Sequence, residues 1–226
     1  MPGGAFLDYV DPWINWDWLS NHVPLILDRL QEHAVLTVIA VVVGFAISLP
    51  VGVFAYRFAA FRNPVLTVSG ILYTIPSLAL FAFLVPITGA FSITTAEIPL
   101  ISYTVLILVR NVIVGLDAVP AEVKDAADGM GYRPMARLVR VEIPLALPAI
   151  FAGLRIATVT TIGLVTITFV IGLGGLGQLI YTYGLLQNNF HTAILLGVGL
   201  TLALAFIADG ALLVAQRLSL PWARTA

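Results

Sequence analysis

Cysteine is missing from all 226 residues, which excludes a disulfide framework, a thiolate metal site and a cysteine nucleophile, and leaves the redox compartment undetermined. Charge is scarce as well: 11 Lys and Arg and 12 Asp and Glu make up 10% of the chain, against 60% hydrophobic residues. At a mean hydropathy of +1.01 the chain is too apolar for a soluble domain and reads as an integral membrane protein in a lipid bilayer. A net charge of −1 points to no partner, and a nucleic acid is not expected. The one lysine, Lys124, lies between Val123 and Asp125, so the Gly-Lys-Ser/Thr turn of a phosphate-binding loop is absent. ATP cannot be held in that manner, and energy must come from another subunit or from a gradient. His22, His33 and His191 have no ligand spacing, and Ser, His and acidic residues are too dispersed for a nucleophilic triad. Neither a catalytic site, a metal site nor a bound cofactor is expected. No internal repeat is visible, and Met1 to Gln31 opens acidic and polar rather than as a signal peptide, so the first long apolar run is expected to stay as a span.

Five such runs are present, each long enough to cross a hydrocarbon core of about 30 Å or nearly so, at about 34–56, 65–85, 98–116, 143–171 and 191–216. The expected fold is therefore an all-α integral membrane domain over 34–217, preceded by a segment 1–33 and followed by a tail 218–226. In the first segment Asp8, Asp11 and Asp17 accompany Trp13, Trp16 and Trp18, which suits indoles at headgroup level or, equally, a partly ordered tail. Span two is interrupted at Pro76, where Thr74 and Ser77 could satisfy the freed backbone groups; a kink is expected. Pro86 to Glu97 is read as a short connection, and Arg110 and Asn111 lie toward the far end of span three. Gly172 to Phe190 must be a loop or re-entrant turn. Its run Gly172-Leu173-Gly174-Gly175-Leu176-Gly177 matches G-x-G-x-x-G, yet it closes a membrane span instead of joining a strand to a helix, so no dinucleotide site follows.

Four of the eleven Lys and Arg gather between Pro120 and Pro148, a water-facing stretch between apolar flanks. Its first half reads as a helix with Pro120 in the first turn and Gly129 and Gly131 available to end it. Val119, Val123, Ala126, Ala127 and Met130 form one apolar stripe, and after the glycine turn Pro134 can open a second helix on which Arg133, Arg137 and Arg140 share a face, before Pro144 and Pro148 forbid simple continuation. Arginines lying on lipid phosphates would explain the charge. They would not explain small residues at the centre of an apolar stripe, which favour a docking helix.

If that loop is cytoplasmic, ten of the eleven Lys and Arg, all but Arg29, lie at or near the cytoplasmic side of a five-span chain, with the N-terminus outside and the C-terminus inside. Asp209 in span five is expected to pair with Arg110 or Arg155, or to reach the interface near Arg217. Gly153, Ala157 and Thr161 repeat every four residues on span four, a stripe that suits packing within the subunit or a dimer seam.

Asp125-Ala126-Ala127, three residues, Gly131, nine residues, then Val141-Glu142-Ile143-Pro144 resembles the Glu-Ala-Ala loop of the membrane subunits of ABC importers, with Asp125 in place of Glu, Val141 of Ile and Ile143 of Leu. Leu49 to Val53, Thr74 to Leu80, Arg110-Asn111 and the Gly172 to Gly177 run look like the permeases of osmoprotectant importers for glycine betaine, choline and carnitine; methionine-type permeases share the five-span plan and a similar glycine run. The resemblance implies a type I importer permease of a bacterial cytoplasmic membrane, with a methionine-permease-like core. It implies a homo- or heterodimer with a second permease subunit, two cytoplasmic ATPase subunits that bind the ATP, and an extracytoplasmic solute-binding protein. The coupling loop 117–142 would dock on the ATPase through Val123, Asp125, Ala126, Ala127, Met130, Gly131, Arg133 and Arg137, with Ile143 and Pro144 at its junction with span four. Tyr73, Pro76, Ser77, Arg110 and Asn111 are candidates for the translocation path, and Tyr73, Tyr103, Tyr181 and Tyr183 for an aromatic cage around a quaternary ammonium solute. A gradient-driven secondary transporter is the rival class, but it would call for repeated halves or intramembrane carboxylates beyond Asp209.

Overall fold

The structure, a computed structural model, describes residues 13–224. Asp8 and Asp11 lie outside the described residues. In chain order the helices are α1 (Trp16–Asn21), α2 (Val23–Arg57), α3 (Ala59–Thr74), α4 (Ser77–Thr88), α5 (Ile93–Asp117), α6 (Ala121–Gly129), α7 (Pro134–Arg137), α8 (Ile143–Val165), α9 (Leu176–Ile180) and α10 (His191–Ser219). A π turn, Leu138–Glu142, joins α7 to α8, a 3-10 turn, Thr166–Ile171, extends α8, and a second π turn, Tyr181–Leu185, follows α9. A last 3-10 turn, Pro221–Arg224, ends the described chain.

Four segments are long and apolar enough to cross a bilayer: Val23–Arg57, Ile93–Asp117, Pro134–Ile171 and His191–Ser219. The fifth traverse is broken. α3 and α4 meet at 90° around Ile75 and Pro76, a sharper break than the kink the proline alone suggests. They nevertheless run from one end of the bundle to the other. Near its start Arg62 pairs with Asp117 at the end of α5, and just past its end the Phe91 amide donates to the Ile171 carbonyl at 2.9 Å. The carbonyl freed at Ile75 is taken by the Tyr103 hydroxyl, while Thr74 bonds back to Ile71. A side chain from another span thus satisfies a carbonyl that the break leaves without a helical partner.

Two boundaries differ from the sequence reading. α2 begins at Val23 rather than Ala34, because Arg29, which would be costly in lipid, has partners: its guanidinium donates to Glu32 at 2.7 Å and to Gln178 at 3.0 Å. α5 begins at Ile93, so Glu97 belongs to a span and is buried there; Pro99 sits in the helix without breaking it.

α5 is the axis of the bundle, buried along most of its length between α2, which runs parallel to it, and α8, which runs antiparallel. Glycines bring the backbones together. A Cβ on Gly44 would fall 2.5 Å from Thr104 and one on Gly153 would fall 2.4 Å from the Cβ of Asn111. The small-residue stripe of span four is therefore spent inside the subunit: Gly153 receives Asn111, and the Thr161 hydroxyl hydrogen-bonds that of Thr104 at 3.0 Å. The glycine run after span four is a tight turn with positive φ at Gly172, Gly174 and Gly175, and it lies against His33 and the Arg29 carbonyl of α2. α10, by contrast, buries only Thr192, Ala193 and Gly197 near its start, leaving residues such as Phe206 76% exposed.

The Gly153 contact carries an expectation. Gly153→Val should force α8 away from α5, an overpacking cost of about 1–3 kcal/mol, whereas Gly163→Ala, with no atom within 4 Å of the added carbon, should be neutral. Thermal aggregation of the two purified variants in detergent checks the contrast, and equal midpoints would contradict the packing described.

Candidate coupling site and membrane path

α6 starts where the sequence allows it, after Pro120 in an extended conformation, and ends in a glycine turn. Gly131 takes φ +82, the Tyr132 amide donates to the Ala127 carbonyl at 3.1 Å and the Gly131 amide to the Asp128 carbonyl at 2.9 Å, which closes the helix and reverses the chain into α7. The helix then continues past Pro144 by widening. The Ile143 amide reaches back to the Leu138 carbonyl, so one extra residue enters the turn and Pro144 falls among the first residues of α8, where a missing N–H costs little.

That turn carries a group the sequence reading left unassigned. Glu142 is fully buried, and each of its oxygens has a partner: the Tyr56 hydroxyl donates to Oε2 at 2.6 Å and Arg137 Nε to Oε1 at 2.8 Å. Arg137 also holds Asp128 of α6, and Lys124 places its ammonium 5.5 Å from the centre of the Tyr56 ring. One buried carboxylate thus ties the end of α2, the start of α8 and both short helices into a single unit. The signal available in the sequence was an acid beside Ile143-Pro144 at the edge of a span, where an unpaired charge would be costly.

The apolar stripe of α6 divides. Val119 and Ala127 face the bundle, Ala127 at 1% exposure, and Val123 is half-buried, while Asp125, Ala126 and Met130 point outward, Met130 at 71%. The arginine stripe divides in the same way: Arg133 and Arg140 are exposed, but Arg137 turns in to Glu142. Ile143 packs on the cluster of Val112, Leu116, Leu138, Ala146 and Ile150, and Pro144 beside it is half-buried.

Away from the knob, Tyr73, Arg110 and Asn111 line one cavity of about 550 Å³ together with Leu66, Ser69, Gly70, Leu106 and Ile107. Tyr73 also lines a smaller one of about 260 Å³ with Pro76, Ser77, Tyr103 and Thr160. The five residues expected in the path therefore lie along two cavities that share Tyr73. The Tyr73 and Tyr103 rings meet edge to face at 5.9 Å, while Tyr181 stacks on Phe169 instead. Asn111 is held by its own helix, donating to the Ile107 carbonyl at 2.8 Å. Asp209 pairs with Arg155, both bonds at 2.7 Å, and not with Arg110. At the opposite end of the bundle Trp13 stacks on His191 and the Asn15 amide donates to Thr192, which docks residues 13–15 on the start of α10. His22 stacks on Trp18, and among the described residues no three His, Asp or Glu side chains converge on a metal-sized site.

Residues 40–218 match the family described as the binding-protein-dependent transport system inner membrane component. The choline transport system permease protein OpuBB of Bacillus subtilis is 34% identical over 193 residues, covering 85% of this chain and 87% of that protein. The osmoprotectant import permease protein OsmW of Salmonella typhimurium is 39% identical over 153 residues, 66% and 71% of the two chains. Among solved structures, a chain of the inward-facing MetNI methionine ABC transporter superposes with a TM-score of 0.75 at 26% identity, covering 87% of this chain and 98% of its own.

The clamp can be checked apart from any partner. Glu142→Ala leaves Arg137 and Tyr56 without their shared acceptor, an expected loss of about 3–5 kcal/mol of local stability. Tyr56→Phe should cost about 1–3 kcal/mol and Asp128→Asn, at a half-exposed pair, less than about 1 kcal/mol. Trypsin cleavage within 121–142 should accelerate in that order. The same cleavage rate for all three would remove the clamp from the account.

Proposed function

The chain belongs to the family of binding-protein-dependent transport system inner membrane components, and from that premise we propose how this ABC importer permease couples to its motor and what it carries. The observation that carries the proposal is the Glu142 clamp, which makes α6 and α7 one piece with the bundle ends of α2 and α8. The outward face of α6, Asp125, Ala126 and Met130, with Gly131 setting its turn and Arg133 beside it, seats in a cytoplasmic ATPase subunit. Val123 and Ala127 hold the helix from behind and Arg137 fixes its angle. When ATP binding draws two ATPase subunits together, the displacement of α6 passes through Arg137 and Glu142 to Tyr56 and α8, and the spans alternate between inward- and outward-open arrangements. Two permease subunits are needed, since the largely uncovered faces of α3, α4 and α10 require lipid or a second copy or homologue. An extracytoplasmic binding protein delivers the solute to the end opposite the knob.

The solute is a small osmoprotectant of the quaternary ammonium kind. Relatives 34% and 39% identical are named for choline and osmoprotectant transport, which favours that class over the methionine of the 26% identical structural neighbour. The membrane is the bacterial cytoplasmic one, with the N-terminus outside and the knob and C-terminus inside.

Two experiments test this. Because the chain has no cysteine, Ala90→Cys and Arg133→Cys can be probed on intact cells with an impermeant thiol reagent: Ala90→Cys should label and Arg133→Cys should not, and the reverse would overturn the orientation. Ala126→Glu places a charge on the exposed face of α6 without disturbing the clamp, and Gly131→Val forces a β-branched residue to a positive φ. Both should give a membrane-inserted subunit that loses its ATPase partner or hydrolyses ATP without transport. Normal assembly and uptake by both variants would reduce the loop to a connector.

A further inference from the structure

We infer that Arg110 is the carboxylate-binding group of the membrane path, so that the path favours a zwitterion bearing a carboxylate beside its quaternary ammonium group over a simple cation. This rests on the permease reading above. Arg110 lies on α5 seven residues before Asp117, roughly 10 Å inside the helix end at 1.5 Å per residue. Four other arginines in or against the spans hold a carboxylate: Arg29 that of Glu32, Arg62 that of Asp117, Arg137 that of Glu142 and Arg155 that of Asp209. Arg110 pairs with none among the described residues. Its exposed side chain instead lines the 550 Å³ cavity beside Ser69, Tyr73 and Asn111.

An unpaired guanidinium at that depth is costly unless a ligand answers it. Its planar fork of donors matches a carboxylate, and the charge strengthens each hydrogen bond it donates. The opposite pole is available in the same cavity. Tyr73, braced edge to face by Tyr103, presents aromatic surface to which a quaternary ammonium group is attracted. A zwitterion satisfies both; a bare cation gains the tyrosine and meets the like charge of Arg110. Asn111, already bonded through Nδ2 to its own helix and wedged over Gly153, shapes the floor of the cavity.

The test uses the whole transporter, permease with its ATPase and binding protein, in proteoliposomes made with and without an anionic phospholipid. ATP-driven uptake of glycine betaine and of choline, which are similar in size and differ in carboxylate against hydroxymethyl, is measured per assembled complex for the parent, Arg110→Gln and Arg110→Lys. The same binding protein serves every arm, so its own selectivity cancels when variants are compared with the parent. Arg110→Gln should lower the betaine-to-choline ratio by about tenfold or more, the loss expected for one charge-assisted hydrogen-bonded pair, and Arg110→Lys should restore part of it. An unchanged ratio, whether uptake is kept or lost in proportion, overturns the assignment while the importer reading stands. So does a ratio that follows the anionic lipid content, which would make a lipid phosphate the partner, and so does a parent that moves choline alone. A parent complex that moves neither solute overturns the osmoprotectant reading itself and the carboxylate assignment with it.

Discussion

The buried carboxylate of Glu142 is the constraint on which the rest of the molecule depends. A charge removed from water is tolerable only when its acceptors are fully used, and here one oxygen takes the Tyr56 hydroxyl and the other the Arg137 guanidinium. The geometry reaches across the chain: Tyr56 closes α2, Arg137 belongs to the four residues of α7, and Glu142 sits in the turn that opens α8. Without it, a nine-residue and a four-residue helix would be too short to hold their shape in water. With it, they become a rigid extension of two spans, and a push on α6 is a push on α2 and α8.

What that lever moves is set by where the close contacts lie. α2, α5 and α8 are locked by glycines against side chains and by hydroxyl pairs, so they shift as a block. α3 buries none of its residues and meets α4 across a right-angled break whose free carbonyl is held by Tyr103 of the block. The broken span is tied to the block at its two ends and at its middle, through Asp117, Ile171 and Tyr103, and it also packs on the block through Val65, Leu66 and the fully buried Phe81. Residues of both the broken span and the block line the two cavities, so a shift of one against the other changes the cavities directly.

Much of this was legible in the sequence, and the parts that were not have definite physical reasons. Apolar runs located all five traverses, Pro76 marked the break, and Gly129 and Gly131 marked the end of α6, because each signal is local. The start of α2 was missed because Arg29 and Glu32 look like the end of an apolar run until Gln178, 149 residues away, is seen to help hold the arginine. The stripe on α6 was read as one docking face, yet Ala127 is buried and Met130 exposed: periodicity gives the angular spread of apolar residues and not which part of it the subunit covers itself. Glu142 went unassigned because its partners come from two other segments.

The same limit applies to charge within the bilayer, and there it separates residues that look alike. Arg110 and Arg155 each stand alone in an apolar run, and Asp209 could have paired with either. The choice falls on Arg155, whose fork meets both oxygens of Asp209 and stitches α8 to α10, a helix with little other buried surface to hold it. That pairing closes one arginine and leaves the other open toward the larger of the two cavities Tyr73 lines. An arginine that is neutralised costs the fold little and offers a solute nothing; one that is left unpaired beside a cavity keeps its donors available to an anionic group. The charge that holds the periphery together and the charge that lines the cavity are thus separated by a single acidic residue, Asp209, whose placement on α10 gives Arg155 a carboxylate and leaves Arg110 without one.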